Sequence, residues 1–546
     1  MSGVLQERLS RVWSAPKSLH FYDFSGLTES VSFGEFGLEV EKLKQNLATL
    51  GVGPGVVVAV MGPTGRQLLE SCVAVWACGG TLTVLPTPTR LGNMESFLTQ
   101  TMSKLEQSRA SLFLGEPDLV SGFAPMLNLP AIDWNVLKET PGDLELQADK
   151  LSLQPALIQF SSGTTRDPQP ILLSDEALLH NAEAVLSCFP GGVDRHSCVS
   201  WLPLYHDMGL IGCFLMPLLA PGNLTIMGPE VFAVRPLTWL EAISNQRATT
   251  SSAPNFALSH CCDRITEAEV LELDLSCWEI AMVGAETVRP KTLRRFAEKF
   301  AKAGFDARAF SPVYGLAEAT LAVTFSPLGG GLKTSLVDDQ ALAETGRVVD
   351  GSYETTSLGQ PLSGVEVEIR KDDQLLGERQ LGEVWVKSPA LMTGTLHDGE
   401  LRLREEDWYS TGDAGFTIDG DLYLYGRRKD ILLLDGRNHD PGMVEQAAES
   451  LPALRRCCGF VSEDPGSEKD KLVLLCEVGS SWDGESVPLR DTIESECAKE
   501  CRLVPAQIVL VKARTLPVTS SGKLRRAEAA KNFHREALEL WPDEKL

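Results

Sequence analysis

No stretch of this chain is apolar for long enough to cross a bilayer as a helix. Its longest apolar run, LIGCFLMPLLA, is short and interrupted by glycine and proline. The residues after Met1, SGVLQERLSRVW, lack the apolar core of a secretory signal. A surplus of positive charge is missing too. Fifty Lys and Arg stand against 74 Asp and Glu, for a net charge of -24 and a pI near 4.9. That balance excludes a nucleic-acid partner, which needs a basic footprint. There is no CxxC pair among the thirteen cysteines, so nothing reads as a zinc site. The count is odd, and Cys261-Cys262 and Cys457-Cys458 are adjacent. Reduced, partly buried thiols and a cytoplasmic location are the expectation. Internal repeats and low-complexity tails are absent.

What remains is a chain of 546 residues with an ordinary globular balance of 43% hydrophobic and 23% charged residues. That length exceeds one ordinary core, so two or more domains are expected. The first part of the chain alternates helices with short β-branched runs, a pattern that repeats through SLFLG and again after residue 150. GEFGLEVEKLKQNLATLGV has helical spacing and a glycine stop at Gly51, and VVVAVMG precedes a helix in GRQLLESCVAVWACGG. Such alternation predicts largely parallel sheets with helices on their faces. Near residue 360 the period changes to two, as in VEVEIRKDDQLLGERQLGEVWVKS, which predicts antiparallel structure. The last hundred residues return to short α/β units: MVEQAAES, KLVLLCEV, PLRDTIESECAKEC and QIVLVKA. A boundary between Gly426 and Lys429 is expected, giving domains 1–426 and 427–546.

The first chemical signal is ALIQFSSGTTRDPQPILLS. A buried strand, Ala156 to Phe160, runs into a loop containing Ser161, Ser162, Gly163, Thr164, Thr165 and Arg166. Hydroxyls and bare backbone N–H groups after a strand suit an anion, and Gly163 allows close approach. The same residues also suit a plain polar hairpin. The loop is not a GxxxxGKS/T nucleotide loop, because no GKS or GKT follows.

Three further segments follow in order: WLPLYHDMGLIG at 201–212, SPVYGLAEATLAVT at 311–324, and STGDAGF at 410–416. The last is followed by YGRRKDILLLDGRNHDP and, near the end, by PVTSSGKLRR. Together with the Ser/Thr/Gly loop these resemble the signature segments of the adenylate-forming superfamily, which includes acyl-CoA synthetases and luciferases. Within it, LPLYHDMGLIG, RPLTWLEAISNQRATTSSAPNFA, YGLAEATLAVT and Arg166 look most like fatty acyl-AMP ligases. The resemblance implies an α/β fold: a large N-terminal adenylation domain of two α/β subdomains plus a distorted β-barrel-like subdomain, and a small mobile C-terminal α+β lid. It implies ATP and Mg2+ as cofactors, a fatty acid as substrate and an acyl carrier protein as acceptor.

Residue by residue, the resemblance implies that Ser161, Ser162, Gly163, Thr164 and Thr165 hold phosphates. Gly284, Ala285, Glu286, Tyr314 and Gly315 would form the adenine side, with Tyr314 stacking on the base. Asp413 and Arg427 would take the ribose and α-phosphate, and Glu318 the Mg2+. His206 would approach the substrate carboxylate, and Lys523 would reach both reacting groups. Lys429 would be the hinge. The superfamily loop usually continues Pro-Lys-Gly, whereas here Pro168-Gln169-Pro170 lacks the lysine. Residues Gly329 to Thr355 occupy the place of an insertion that disfavours CoA in fatty acyl-AMP ligases. A basic island of Lys512, Arg514, Lys523, Arg525 and Arg526 is a candidate dock for an acidic carrier. An acyl-CoA synthetase, and a catalytically weak relative that binds acyl-adenylates or lipids, remain alternatives. An aryl or amino acid as substrate is a third, disfavoured because no aspartate in PVYGL or MVGAE is placed to meet an amino group.

Overall fold

The computed structural model describes residues 3–88, 94–139, 146, 150–161, 168–434, 437–462, 471–479, 482, 484–519, 523–542 and 544. The β-branched runs pair side by side. Val57–Met61 lies between Thr81–Val84 and Leu112–Gly115, parallel to both. All its residues are buried, as a parallel strand covered on both faces requires. These strands are the centre of an eight-stranded sheet that also contains Leu157–Phe160 and Pro170–Leu173. A nine-stranded sheet carries Cys198–Ser200, Leu224–Met227, Thr250–Ala253, Ile280–Val283 and Phe310–Gly315 in parallel. One continuous apolar core joins the two sheets through the helices between them.

The helix Phe33–Thr49 shows how the sequence sets its elements. Ser32 caps it by accepting from the Glu35 N–H, and Phe33, Phe36, Val40, Leu43 and Leu47 face the core. The positive φ of Gly51 follows its end. Expected antiparallel structure appears as a five-stranded sheet that includes Glu366–Lys371, Gly382–Lys387, Tyr409–Ile418 and Asp421–Arg427. One hairpin leaves that neighbourhood. Gly394–His397 and Glu400–Leu403 extend the eight-stranded sheet instead, with Gly394 opposite Leu172. Leu396 and Leu401 there join the apolar cluster of Val57, Ile158 and Leu172, a burial that local periodicity does not encode.

The C-terminal region has a separate core. Strands Leu454–Ser462, Lys471–Val478 and Gln507–Val511 form one sheet. The helices Pro441–Glu449 and Ser486–Cys501 bury Met443, Val444, Leu489 and Ile493 in the apolar cluster on it. Residues 329–355, beyond loop and turn, contain the strand Thr334–Val337 and the helix Asp339–Thr345. The strand Tyr353–Thr356 completes a two-stranded sheet with Thr334–Val337. Tyr353 packs against the C-terminal core, and Glu344 pairs with Arg437 at 2.9 Å.

Trp239 ties the nine-stranded sheet to its helical layer. It is fully buried, stacks edge-on against Trp201, Phe232 and Trp278, and its indole N–H donates to Ser251 Oγ at 3.0 Å. Trp239→Ala is expected to cost about 4 kcal/mol of stability. The check is a lowered urea midpoint for the transition reported by this region.

Candidate active site

Five loops at the strand ends converge on one cavity of about 390 Å³. The strand Leu157–Phe160 ends in Ser161, whose backbone N–H donates to the Gln169 carbonyl at 2.9 Å. The Gln169 N–H returns the bond to Ser161 Oγ at 2.9 Å. This clasp closes the neck of the Ser/Thr/Gly loop, and Ser161 and Gln169 both line the cavity. Ser162, Gly163, Thr164, Thr165 and Arg166 lie outside the described residues.

Opposite the clasp, Asp413 and Arg427 face each other across antiparallel strands, and Arg427 Nε meets Asp413 Oδ1 at 2.9 Å. The Tyr314 hydroxyl donates to Asp413 Oδ2 at 2.6 Å. Both carboxylate oxygens of Asp413 are therefore engaged, and the residue is buried behind Tyr314 and Arg427, which line the cavity. Burial raises the Asp413 carboxyl above its ordinary range despite the pull of Arg427 and Tyr314. Burial, with Asp413 nearby, also holds the Tyr314 phenol well above its ordinary value, so it stays a donor.

Glu318 sits on the short turn Ala317–Ala319 after Phe310–Gly315. Its carboxylate faces the cavity and accepts from the Tyr409 hydroxyl, and burial raises it. The turn is tightly made. A Cβ on Gly315 would lie 1.8 Å from the Leu321 carbonyl oxygen, so no other residue fits. Thr320 holds a positive φ of 68°, fixed by its hydroxyl bond to the Ala390 carbonyl at 2.6 Å. Ala285, which also lines the cavity, has a φ of 66°. Strained non-glycine backbone of this kind persists where its surroundings over-determine it. Beside Ala285, Gly284 is buried against Val313. Glu286 accepts from the Phe256 N–H at 2.6 Å.

The third wall is Leu202–Asp207 and the wide helix after it. His206 Nδ1 lies 3.4 Å from Asp207 Oδ1, and Asp207 accepts from the Met208 N–H at 2.7 Å. Met208–Leu215 is a π-helix, a form that recurs at functional sites. It presents Met208 and Gly212 to the cavity, and Met216, at the start of the α-helix that follows, lines it too. Leu186, Phe189 and Leu321 add apolar surface to the lining.

Lys523 enters this cavity from the C-terminal region. Its loop is closed by Thr519, whose N–H donates to the Lys523 carbonyl at 2.8 Å while its hydroxyl accepts the Lys523 N–H at 3.1 Å. Burial lowers the Lys523 ammonium below its ordinary value. Asp207, Glu286 and Asp413 oppose that shift, and Arg427 adds to it. Burial pushes Asp207 up, yet His206 and Lys523 hold it below its ordinary value. Lys429 also faces the cavity, just beyond the strand Asp421–Arg427.

The structure thus brings Ser161, His206, Ala285, Tyr314, Gly315, Glu318, Arg427 and Lys523 to one cavity, with Asp413 directly behind. Gly284 and Glu286 flank it. Asp207 and Tyr409 are additions that the sequence reading missed. The signal for each was adjacency, to His206 and to the Ser-Thr-Gly-Asp turn. The basic island needs correcting. Lys523 points into the cavity, Arg526 is bound by Glu445 and Asp430, and Arg525 pairs with Glu528. Only Lys512 and Arg514 of the five stand exposed in the way a surface dock requires.

The cleft between a large α/β body and a small C-terminal unit, lined by cations and buried carboxylates, has the charge pattern that an anionic ligand requires. The family profile of the AMP-binding enzymes matches residues 12–396, and the chain belongs to that family. A Caulobacter vibrioides protein provisionally named an acyl-CoA synthetase is 31% identical over 96% of this chain and 94% of its own. The medium-chain-fatty-acid–acyl-carrier-protein ligase JamA of Moorena producens is 32% identical over 75% of this chain and 73% of its own. A solved structure from work on fatty acyl-adenylate ligases of E. coli and L. pneumophila superposes with a TM-score of 0.88. It shares 29% identity and covers 97% of this chain and 98% of that one.

The field around Lys523 has a measurable consequence. Asp207 favours the ammonium form, so Asp207→Asn is expected to lower the Lys523 pKa further. Amine-labelling rates at Lys523, followed by mass spectrometry across pH, should show half-labelling below that of exposed lysines. The Asn variant should shift it lower still.

Proposed function

We propose that this chain is a fatty acyl-AMP ligase, an ATP-dependent ligase that joins a fatty acid to AMP and passes the acyl group to the phosphopantetheine thiol of an acyl carrier protein. One observation carries the reading. Lys523 and Arg427 line the same chamber as the apolar Leu186, Phe189, Met216 and Leu321. A carboxylate whose tail fills that chamber would present its oxygen to the lysine.

In the first half-reaction a carboxylate oxygen attacks the α-phosphorus of ATP. A carbon–oxygen–phosphorus link forms, the bond to the β-phosphate breaks, and pyrophosphate leaves. No protein nucleophile is needed. The work lies in aligning two anions and neutralising the charge that develops. Lys523 would bridge carboxylate and α-phosphate, and Arg427 would hold the α-phosphate. The Ser161 to Thr165 loop would take the outgoing phosphates. Glu318, a hard oxygen donor on the cavity wall, fits a Mg2+ site completed by phosphates and water. That ion would offset the charge of the leaving pyrophosphate. In the second half-reaction the thiol sulfur attacks the acyl carbon, AMP leaves with the bonding pair, and the thiol proton passes to solvent.

Carrier transfer is favoured over CoA by relatives named as acyl-carrier-protein ligases. The ordered segment around Asp339–Thr345 adds to this, since it joins the C-terminal region through Glu344 and Tyr353. The reading treats residues 1–426 and 427–546 as the two domains, hinged at Lys429, in a cytoplasmic enzyme. Among the described residues no helix is long and apolar enough to cross a membrane.

The test is mass spectrometry of the products formed from ATP, Mg2+ and a mixed pool of fatty, aryl and amino acids. Fatty acyl-adenylates should accumulate with pyrophosphate. Adenylates of aryl or amino acids alone would overturn the reading, and equal acylation of CoA and carrier would move the chain to the acyl-CoA synthetases. Lys523→Ala should slow adenylate formation by about 10²- to 10³-fold with little change in ATP binding. Gly212 lines the chamber, and a Cβ there would lie only 3.0 Å from the Leu321 side chain, so added bulk has to push into the chamber or displace that leucine. Gly212→Leu should therefore shift the preferred acid to shorter chains, read from the same product spectrum.

A further inference from the structure

Lys523 must sit at a set depth in the cleft, although it belongs to the C-terminal region. Two ion pairs on one helix connect it to the large body. Glu445 and Glu449 lie one turn apart on Pro441–Glu449 and share a face. Glu445 receives Arg526 through Nε at 2.9 Å and Nη2 at 2.7 Å. Arg526 opens the helix Arg526–His534, three residues after Lys523. At the helix end, Glu449 Oε2 receives Arg289 Nη1 at 2.9 Å, and Glu449 Oε1 accepts the Cys457 N–H at 2.9 Å. Arg289 is three residues beyond Glu286 on the cleft wall, and its own N–H is fixed by Asn255 Oδ1 at 2.9 Å.

The chemistry of Glu449 is informative. A carboxylate at a helix C-terminus is disfavoured by the exposed carbonyls there. Glu449 is three-quarters buried as well, with 22% side-chain exposure against 26% for Arg289. A partly buried charge at an unfavourable helix end needs its counter-ion, so Glu449 is strongly coupled to Arg289. That pair joins the two parts of the chain beside the cleft.

We infer that Arg289 and Glu449 form a latch that sets the depth of Lys523 for adenylate formation. Both are positioning residues, acting on Lys523 through the helix Pro441–Glu449 and Arg526. The inference rests on the two-step reading of the reaction given above.

Glu449→Gln isolates the charge, since the amide oxygen can still accept from Cys457. Adenylate formation from acid and ATP should fall about tenfold or more. Acyl transfer from chemically supplied acyl-adenylate to a phosphopantetheine thiol should stay constant or rise. Arg289→Lys keeps the cation and should retain most of the adenylation rate, whereas Arg289→Gln should match Glu449→Gln. Backbone hydrogen exchange across 428–431 should quicken in Glu449→Gln, because this segment connects the two parts of the chain and loses its restraint when they separate. An adenylation rate within twofold of the parent, or a parallel fall in both half-reactions, would overturn the latch. If the parent enzyme forms no acyl-adenylate from any acid, the functional reading fails. The exchange comparison then decides the latch alone: faster exchange upholds it and unchanged exchange refutes it.

Discussion

Bringing a carboxylate against a triphosphate demands positive charge at the point where water is least available. An ammonium in such a place loses hydration and tends to give up its proton. The cleft meets this constraint by interleaving signs. Lys523 and Arg427 alternate with Asp207, Glu286, Glu318 and Asp413, and each cation has carboxylates in its field. Most of the local architecture follows from that need. The antiparallel register sets Asp413 opposite Arg427, and the tight turn at Gly315 brings Glu318 inward. With two cations set among four carboxylates, the cleft has no spare positive charge for a bare triphosphate, which is why a metal belongs in the functional reading.

The balance also explains why the small C-terminal region has to be docked. Without Lys523, the acids on the cleft wall would face one another with Arg427 between them. Docking relieves that repulsion, and the acids in turn oppose the loss of the lysine's proton. Each part of the chain therefore stabilises the ionisation state that the other requires.

Much of this was legible in the sequence because it is local. The alternation of β-branched runs with helical spacing gave parallel sheets, and the change of period near residue 360 matched the five-stranded antiparallel sheet. Motif order placed most site residues around one cavity. Non-local burial was not legible. The hairpin at 394–403 joins a distant sheet because Leu396 and Leu401 complete an apolar cluster formed hundreds of residues earlier. The basic island dissolved for a related reason, since adjacent cations near the C-terminus turn toward different carboxylates. Asp207 escaped notice because its role depends on a lysine more than three hundred positions away.

The π-helix Met208–Leu215 carries a last consequence. Its turns are wider than those of an α-helix, with each N–H reaching five residues back. The loss of one residue there would tighten the coil and swivel the preceding His206-Asp207 pair relative to Met216. Evolution therefore has two independent dials on this wall. Side-chain bulk sets how much room a tail finds, and helical winding sets whether the tail and the reacting head remain in line.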